Sequence, residues 1–136
     1  MPRPKTDGPT ERELEILRIL WGRGPSTTRD IHSALNEGLN KKEQAAYNSV
    51  LTILLIMLEK GYVTRDESSK SHVYEAAYKQ DDIQEQMLYA FIEKVFGGSA
   101  MNLVTKALSM GATSKKDADK IRSLLQEMAA EDGKRK

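Results

Sequence analysis

Three polar side chains, Asn48, Ser49 and Thr52, stand near the start of an otherwise apolar stretch at residues 47–61, YNSVLTILLIMLEKG. At about 100° per residue they share one face of a helix. An asparagine amide matches the N6 and N7 groups of adenine, hydroxyls bond bases or phosphates, and the threonine methyl can meet a thymine methyl. The spacing therefore allows a helix that reads a DNA major groove, or simply a polar helix surface whose other face is buried.

The apolar residues of this helix occupy more than one face. The predicted core face holds Val50, Leu51, Leu54, Met57 and Leu58. The predicted outer face holds Ala45, Asn48, Ser49, Thr52, Ile56 and Glu59. Leu55 on the flank and Ile56 on the outer face could contact thymine methyls or sugars, although packing against a following hairpin or a neighbouring loop is the favoured alternative for Leu55. The apolar run is much shorter than the roughly 20 residues that cross a bilayer, so it does not predict a membrane span.

Basic residues flank this helix in the sequence. The candidates for phosphate contact are Arg29, Lys41, Lys42, Arg65, Lys70 and His72, with Arg3 and Lys5 near the N-terminus. Each one alone is most simply a solvated surface side chain. As a set around one helix they favour phosphate contacts, which fix register without reading sequence. The net charge of +1 gives no further support for nucleic-acid binding.

Two capping-box patterns predict the starts of the first two helices. Thr10 precedes Glu13 by three residues, and Thr27 precedes Asp30 by the same spacing. In such a box the threonine hydroxyl accepts a hydrogen bond from the backbone N–H of the acidic residue. The acidic side chain in turn accepts a hydrogen bond from the backbone N–H of the threonine. Both patterns lead into apolar residues at helical spacing, which supports two short amphipathic helices.

The third helix and a β-hairpin follow. Asn40 with Glu43 has the capping spacing again and predicts a helix over 44–60, ended by Gly61 in the left-handed conformation. Residues 62–65 and 72–78 are rich in strand formers and are separated by a polar run, which predicts a hairpin. Three helices followed by a hairpin are the layout of a winged helix-turn-helix, in which the third helix enters the major groove and the hairpin is the wing.

The fold predicted from these elements is mainly α, with an N-terminal winged helix-turn-helix and a C-terminal three-helix region. The expected divisions are a disordered arm at 1–9, the DNA-binding domain at 10–80, a helical dimerisation domain at 81–130 and a frayed tail at 131–136.

The C-terminal helices carry apolar stripes that either cover the first domain or pair with a second copy. Both phenylalanines of the chain, Phe91 and Phe96, lie here, which favours an interface with a partner copy. The predicted interface comprises Ile83, Met87, Leu88, Phe91, Ile92, Val95, Phe96, Leu103, Val104, Leu108, Ile121, Leu124 and Leu125. A homodimer would place two reading helices on a two-fold DNA site.

The composition excludes several other functions. The chain has no cysteine and only two histidines far apart, His32 and His72, so it offers no thiolate site and a zinc centre is not expected. No nucleophile–base, paired-carboxylate or glycine-rich phosphate motif stands in a suitable context, so an enzyme is not expected and no cofactor is predicted. The N-terminus lacks the apolar segment of a signal peptide, and a cytoplasmic protein is expected.

Three segments in order resemble the penicillinase-repressor (BlaI/MecI) family of bacterial transcription repressors. They read TERELEILRILWGRGPSTTRDI, SVLTILLIMLEKGYV and HVYEAAY, and the resemblance covers about residues 8–130. It implies a homodimer joined through its C-terminal helices that binds a pseudo-palindromic operator and represses adjacent genes. It also implies, in the well-known members, a membrane-bound sensor protease that leads to a cut in the C-terminal region.

The sequence departs from the family at several positions. The family's Asn-Phe cleavage step aligns with Lys106-Ala107, so the cleavage site is not carried over. The cysteine pairs of the copper-responsive members are absent, and apolar Leu55 and Ile56 stand where the family usually places basic residues. The inducing signal is therefore open. The alternative function is a winged-helix module that binds another protein and no specific DNA.

Overall fold

The computed structural model describes residues 8–111 and 113–135. The chain divides into two compact units, Met1–Ala90 and Phe91–Lys136. The described helices are α1 (Glu11–Arg23), α2 (Thr28–Asn36), α3 (Tyr47–Lys60), α4 (Gln80–Phe96), α5 (Ala100–Ser109) and α6 (Lys115–Arg135), and the strands are β1 (Ser26–Thr27), β2 (Val63–Asp66) and β3 (Val73–Ala76). A mainly helical chain with a small antiparallel sheet confirms the predicted fold class.

The two capping boxes form as predicted. The Thr10 hydroxyl accepts from the Glu13 N–H at 3.2 Å, and a Glu13 carboxylate oxygen accepts from the Thr10 N–H at 2.8 Å. Thr27 and Asp30 form the same reciprocal pair at 3.1 and 3.2 Å. Each box satisfies backbone donors that the first turn leaves unpaired, so the sequence locates both helix starts correctly.

The prediction that the third helix begins after Asn40 is wrong, because α3 begins at Tyr47. Asn40 does accept from the Glu43 N–H, at 3.2 Å, but this hydrogen bond closes a turn and not a helix. The Asn36 side chain holds the intervening backbone at Ala45, accepting from its N–H at 2.8 Å and donating to its carbonyl at 2.9 Å. Ala45 therefore lies in a connecting segment and not on the outer face of α3.

The sheet has the order β1-β3-β2, and all pairs are antiparallel. Strands β2 and β3 form the predicted hairpin, with Arg65 opposite Tyr74. Strand β1 was not predicted, because two residues give no alternating pattern to detect. It pairs Ser26 with Tyr74 and joins the base of the wing to the start of α2.

The core of the Met1–Ala90 unit lies between the helices and this sheet. Its buried members are Ile16, Leu17, Leu20, Ile31, Leu35, Val50, Leu54, Met57, Val63 and Tyr74. The predicted core face of α3 is confirmed at Val50, Leu54 and Met57, while Leu58 packs against the cluster half-buried. Leu51 is the exception, since it is half-buried and lines a surface groove.

A partly buried ion pair joins the start of α1 to the end of α3. Lys60 Nζ lies 2.9 Å from Glu13 Oε2, and Glu13 is only 3% exposed. The other Glu13 oxygen is the one that bonds to Thr10, so the buried carboxylate is satisfied on both oxygens. The pair fixes the C-terminal end of α3 on the core, and Gly61 ends that helix with the predicted left-handed conformation at φ 89°.

The second unit is helical throughout its described elements. Ser99 accepts from the Asn102 N–H at the start of α5, and Ser114 accepts from the Asp117 N–H at the start of α6. The backbone is helical through Arg135, and the frayed tail at 131–136 stays a prediction. No helix in the described part of the chain is long and apolar enough to span a membrane.

The boundary between the two units falls within α4, between Ala90 and Phe91, whereas the predicted functional boundary at residues 80 and 81 falls at the first turn of that helix. That functional division stays a prediction. Of the predicted N-terminal arm, residues 1–7 lie outside the described residues, while Pro9 is buried just before α1.

Candidate nucleic-acid interface

The outer face of α3 presents polar side chains beside one apolar residue. Asn48, Ser49 and Thr52 are exposed, and Ile56 is 40% exposed. This face points outward because Val50, Leu54 and Met57 hold the opposite face in the core. The helix wheel thus predicted correctly which of these side chains reach the surface. Their role in DNA contact stays a prediction.

A groove of about 420 Å³ lies between α3, the start of α2 and the wing. It is lined by Thr27, Thr28, Arg29, Tyr47, Leu51, Leu55, Arg65, Lys70, Ser71, His72 and Tyr74. The structure therefore brings four of the predicted phosphate contacts, Arg29, Arg65, Lys70 and His72, to the border of one groove. No carboxylate is among the lining residues, so the groove favours an anion.

The α3 wall of this groove is apolar. Tyr47, Leu51 and Leu55 line it at intervals of four residues, which places them one above another on the helix. Leu55 lines the groove together with wing residues and is 44% exposed, so its packing role stays a prediction. The combination of an apolar wall and a basic border was not predicted, because the groove is built from residues of α2, α3 and both wing strands.

Arg65 is held within the wing. Its Nε donates to Glu67 at 2.8 Å, one of its terminal nitrogens donates to the Tyr74 hydroxyl at 3.4 Å, and its guanidinium lies 5.9 Å from the centre of the Tyr74 ring. Hydrogen bonds to Tyr74 and Glu67 raise the pKa of Arg65 above its ordinary value. Because Glu67 already pairs with its guanidinium, Arg65 is less available to a phosphate than an unpaired arginine would be.

The wing tip is shaped by an acidic residue. Asp66 accepts from the Ser68 N–H at 2.9 Å, and the hydrogen bonds from Ser68 lower the pKa of Asp66. Lys70, on the far side of the tip, lines the groove and is exposed. A local turn thus presents a lysine beside the apolar wall.

The remaining basic candidates are placed elsewhere. Lys41 and Lys42 are exposed in the turn that precedes α3, and neither lines the groove. Arg3 and Lys5 lie outside the described residues.

Two residues of α2 set the start of α3, and neither was predicted to do so. Besides the two Asn36 hydrogen bonds to Ala45, the His32 Nε2 lies 3.1 Å from the Ala45 carbonyl oxygen. The His32 ring also meets the Tyr47 ring edge-on at 5.6 Å between centroids. No sequence pattern indicates this role, because the partner of Asn36 is a backbone group in the loop nine residues later.

The predicted interface residues differ in how far they are exposed. Ile83 is 2% exposed and buried within the chain, while its assignment to a partner interface stays a prediction. Exposed members are Leu88, Phe91, Val95, Val104, Leu108, Leu124 and Leu125, and half-buried members are Met87, Ile92, Phe96, Leu103 and Ile121. The exposed Tyr89, Met101, Met110 and Met128 extend the apolar surface beyond the predicted set.

Comparison with known proteins identifies relatives over nearly the whole chain. A family model described as penicillinase repressor matches residues 9–127. The penicillinase repressor of Staphylococcus aureus is 20% identical over 117 residues, which cover 86% of this chain and 90% of that protein. The methicillin resistance regulatory protein MecI of the same species is 22% identical over 121 residues, covering 89% and 95%. The transcriptional regulator BlaI of Mycobacterium tuberculosis is 26% identical over 126 residues, covering 90% and 86%.

A solved structure supports the same architecture. The transcriptional regulator Tm0710 from Thermotoga maritima aligns over 93% of this chain and 78% of its own, with a TM-score of 0.50 and 17% sequence identity. At that identity the likeness concerns the fold.

Proposed function

The chain belongs to the penicillinase repressor family of transcriptional regulators, and on that premise we propose that it acts as a homodimer on a two-fold, pseudo-palindromic operator. The family consists of repressors and not of enzymes. In this proposal α3 enters the major groove, and the wing with the start of α2 contacts the flanking backbone. A repressor works where the chromosome is, so the proposed location is the bacterial cytoplasm. No cofactor takes part.

One observation carries the proposal. The exposed polar face of α3, with Asn48, Ser49 and Thr52, lies next to a groove whose border holds Arg29 and Lys70. Hydrogen-bonding groups for base edges and cations for phosphates thus occur side by side, as direct readout requires.

The apolar surface of the second unit supports the homodimer. None of the side chains described between residues 91 and 131 is buried, and several large apolar ones are exposed. A second copy would cover this surface through the same patch on both chains, which gives a two-fold axis. Two reading helices related by that axis require two half-sites on the DNA.

The DNA proposal is tested with the region upstream of the chain's own gene. We expect specific binding in a gel-shift titration, and Asn48→Ala should weaken it by about 1–3 kcal/mol, the worth of a bidentate base contact. Binding no tighter than to an unrelated fragment of equal length would overturn the proposal.

Salt dependence separates phosphate contacts from base contacts. Arg29→Gln should lower the slope of log affinity against log salt by about 0.9, because one phosphate contact is lost. Ile56→Arg should raise the slope by a similar amount. Arg18→Gln, which removes an exposed cation from α1, is the matched control and should leave the slope unchanged.

The dimer is tested by sedimentation. Leu125→Asp should raise the dissociation constant for self-association about tenfold or more, because an unpaired carboxylate is costly to bury. Gln126→Asp adds the same charge at the adjacent exposed position and should have a smaller effect. A wild type that sediments as a monomer at micromolar concentration contradicts the homodimer.

The exposed Leu55 and Ile56 favour a second candidate, a winged helix that binds a protein partner through α3. If the chain binds no DNA specifically while Ile56→Glu abolishes a protein complex, this candidate replaces the first. A sensor protease in the family manner is a further proposed partner. The family's cleavage step aligns with Lys106 and Ala107, which are exposed within α5. The proposed DNA binding does not depend on a cut there.

A further inference from the structure

The reading face of α3 lacks the groups that usually select guanine. Within α3, which the structure describes in full, the only cation is Lys60, and its Nζ is bound to the buried carboxylate of Glu13. Arginine and lysine make the commonest specific contact to the O6 and N7 atoms of guanine. No arginine or lysine stands on the outer face of this helix, so its readout relies on other groups.

The outer face instead carries an amide followed by methyl groups. Asn48, Thr52 and Ile56 are exposed at intervals of four residues, which corresponds to about 6 Å between neighbours along the helix axis. The amide suits adenine, and the threonine and isoleucine methyl groups continue the same stripe. The three side chains together span about 12 Å, or several base steps.

The major groove offers one apolar group, the C5-methyl of thymine. Ile56 is 40% exposed on the polar face of a DNA-reading helix, where a buried contact with such a methyl group would remove apolar surface from water. Resting on the function proposed above, we propose that α3 selects A·T base pairs. Ile56 and Thr52 contact thymine methyl groups, and Asn48 contacts an adenine edge.

Leu55 serves as the internal comparison. It is exposed to a similar degree, 44%, but it lines the groove toward the wing and not the outer face. The proposal therefore assigns thymine contact to Ile56 and not to its apolar neighbour.

The test removes the methyl groups from the DNA. The region upstream of the chain's own gene is amplified with either thymidine or deoxyuridine triphosphate, and wild-type affinity for each probe is measured at one salt concentration. Each lost methyl contact should weaken binding about fourfold, and contacts in two half-sites should weaken it about tenfold or more. Wild-type affinities that are equal for the two probes, with binding still specific over an unrelated fragment, overturn the inference and leave the operator proposal standing.

Variants complete a double-mutant cycle between protein and DNA methyl groups. Ile56→Ser should reduce the preference for the thymine probe, and Thr52→Ser, which removes one methyl and keeps the hydroxyl, should reduce it by a smaller factor. Leu55→Ser, on the groove wall, should change the affinity for both probes by the same factor and so keep the wild-type ratio between them. If Ile56→Ser retains the full preference while remaining folded by circular dichroism, the thymine effect acts through DNA shape and the contact is excluded. Absence of specific binding to either probe overturns the operator proposal itself.

Discussion

The unit Met1–Ala90 buries a cluster of large apolar side chains between three helices and a sheet, whereas none of the side chains described between residues 91 and 131 is buried. Leu54 of α3 is 0% exposed, while Leu125 of α6 is 59% exposed. Both are leucines on amphipathic helices. The difference therefore lies in what each helix has to pack against and not in its sequence pattern.

This contrast separates two sources of stability. The first unit gains its hydrophobic stabilisation within one chain, so its unfolding should not depend on protein concentration. Helices that leave an apolar face uncovered gain little until a partner covers it, so the second unit should be stabilised by association. Stability and assembly can then be changed independently by substitutions in the two units.

The largest expected effect comes from the core of the first unit. Leu54→Ala should lower the free energy of unfolding by about 2–5 kcal/mol, because it removes buried methyl groups and leaves a cavity. Urea denaturation measures this loss. Leu125→Ala is the matched change in the second unit, and it should weaken self-association while leaving the unfolding of the first unit unchanged. Equal losses of monomer stability from the two variants would remove the contrast.

Local patterns in the sequence predicted those elements whose causes are local. The Thr10–Glu13 and Thr27–Asp30 boxes located two helix starts, because all their hydrogen bonds lie within one turn. The Asn40–Glu43 pair has the same spacing and misplaced α3, since a tertiary contact decides there. A pattern of this kind shows that a turn is favoured and does not show that a helix continues from it.

The candidate interface was predictable in part for the same reason. The wheel of α3 placed Asn48 and Ile56 at the surface, because one helix determines that division. The groove could not be predicted, since Arg29 on α2, Leu55 on α3 and Lys70 on the wing meet only in the folded chain. The burial of Ile83 was missed because an apolar helix position does not reveal which surface covers it.

An intermediate effect is expected from the ion pairs. Lys60→Met removes the partner of a nearly buried carboxylate and should cost about 1–3 kcal/mol, the penalty of an unsatisfied buried group. Arg122→Met breaks the Arg122–Asp119 pair of the second unit, whose side chains are 73% and 65% exposed. Exposed pairs contribute about 0–1 kcal/mol, so that variant should change little.

Thermal unfolding of the two variants measures the difference. Adding Glu13→Gln to Lys60→Met should recover part of the loss, because the buried charge is gone while the carbonyl oxygen can still accept from Thr10. A Lys60→Met loss no larger than that of Arg122→Met would show that the geometry of the buried pair has no energetic consequence.

The smallest expected effect is that of the helix caps. Thr27→Ala should destabilise the first unit by about 1 kcal/mol, because the N–H at the third position of α2 loses its acceptor. Ser114→Ala removes the corresponding cap of α6, and the unfolding of the first unit should not change. Urea denaturation measures both variants.

Thr27→Ala should also change the pKa of its partner residue, Asp30. The hydrogen bonds from the Thr27 backbone and hydroxyl lower the pKa of Asp30, so the ionised form is favoured in the folded chain. The stabilisation of the folded chain by ionised Asp30 is therefore present above the ordinary aspartate pKa of about 3.9, and it is lost as the pH falls through the lowered value.

In Thr27→Ala, loss of the hydroxyl should move the pKa of Asp30 part of the way back, since the backbone donor remains. An NMR titration of the Asp30 carboxyl carbon measures the shift. An unchanged Asp30 pKa in the variant would mean that the Thr27 backbone N–H alone stabilises the ionised carboxylate. The Thr27 hydroxyl would then stabilise α2 only by accepting from the Asp30 N–H, and not by acting on the Asp30 charge.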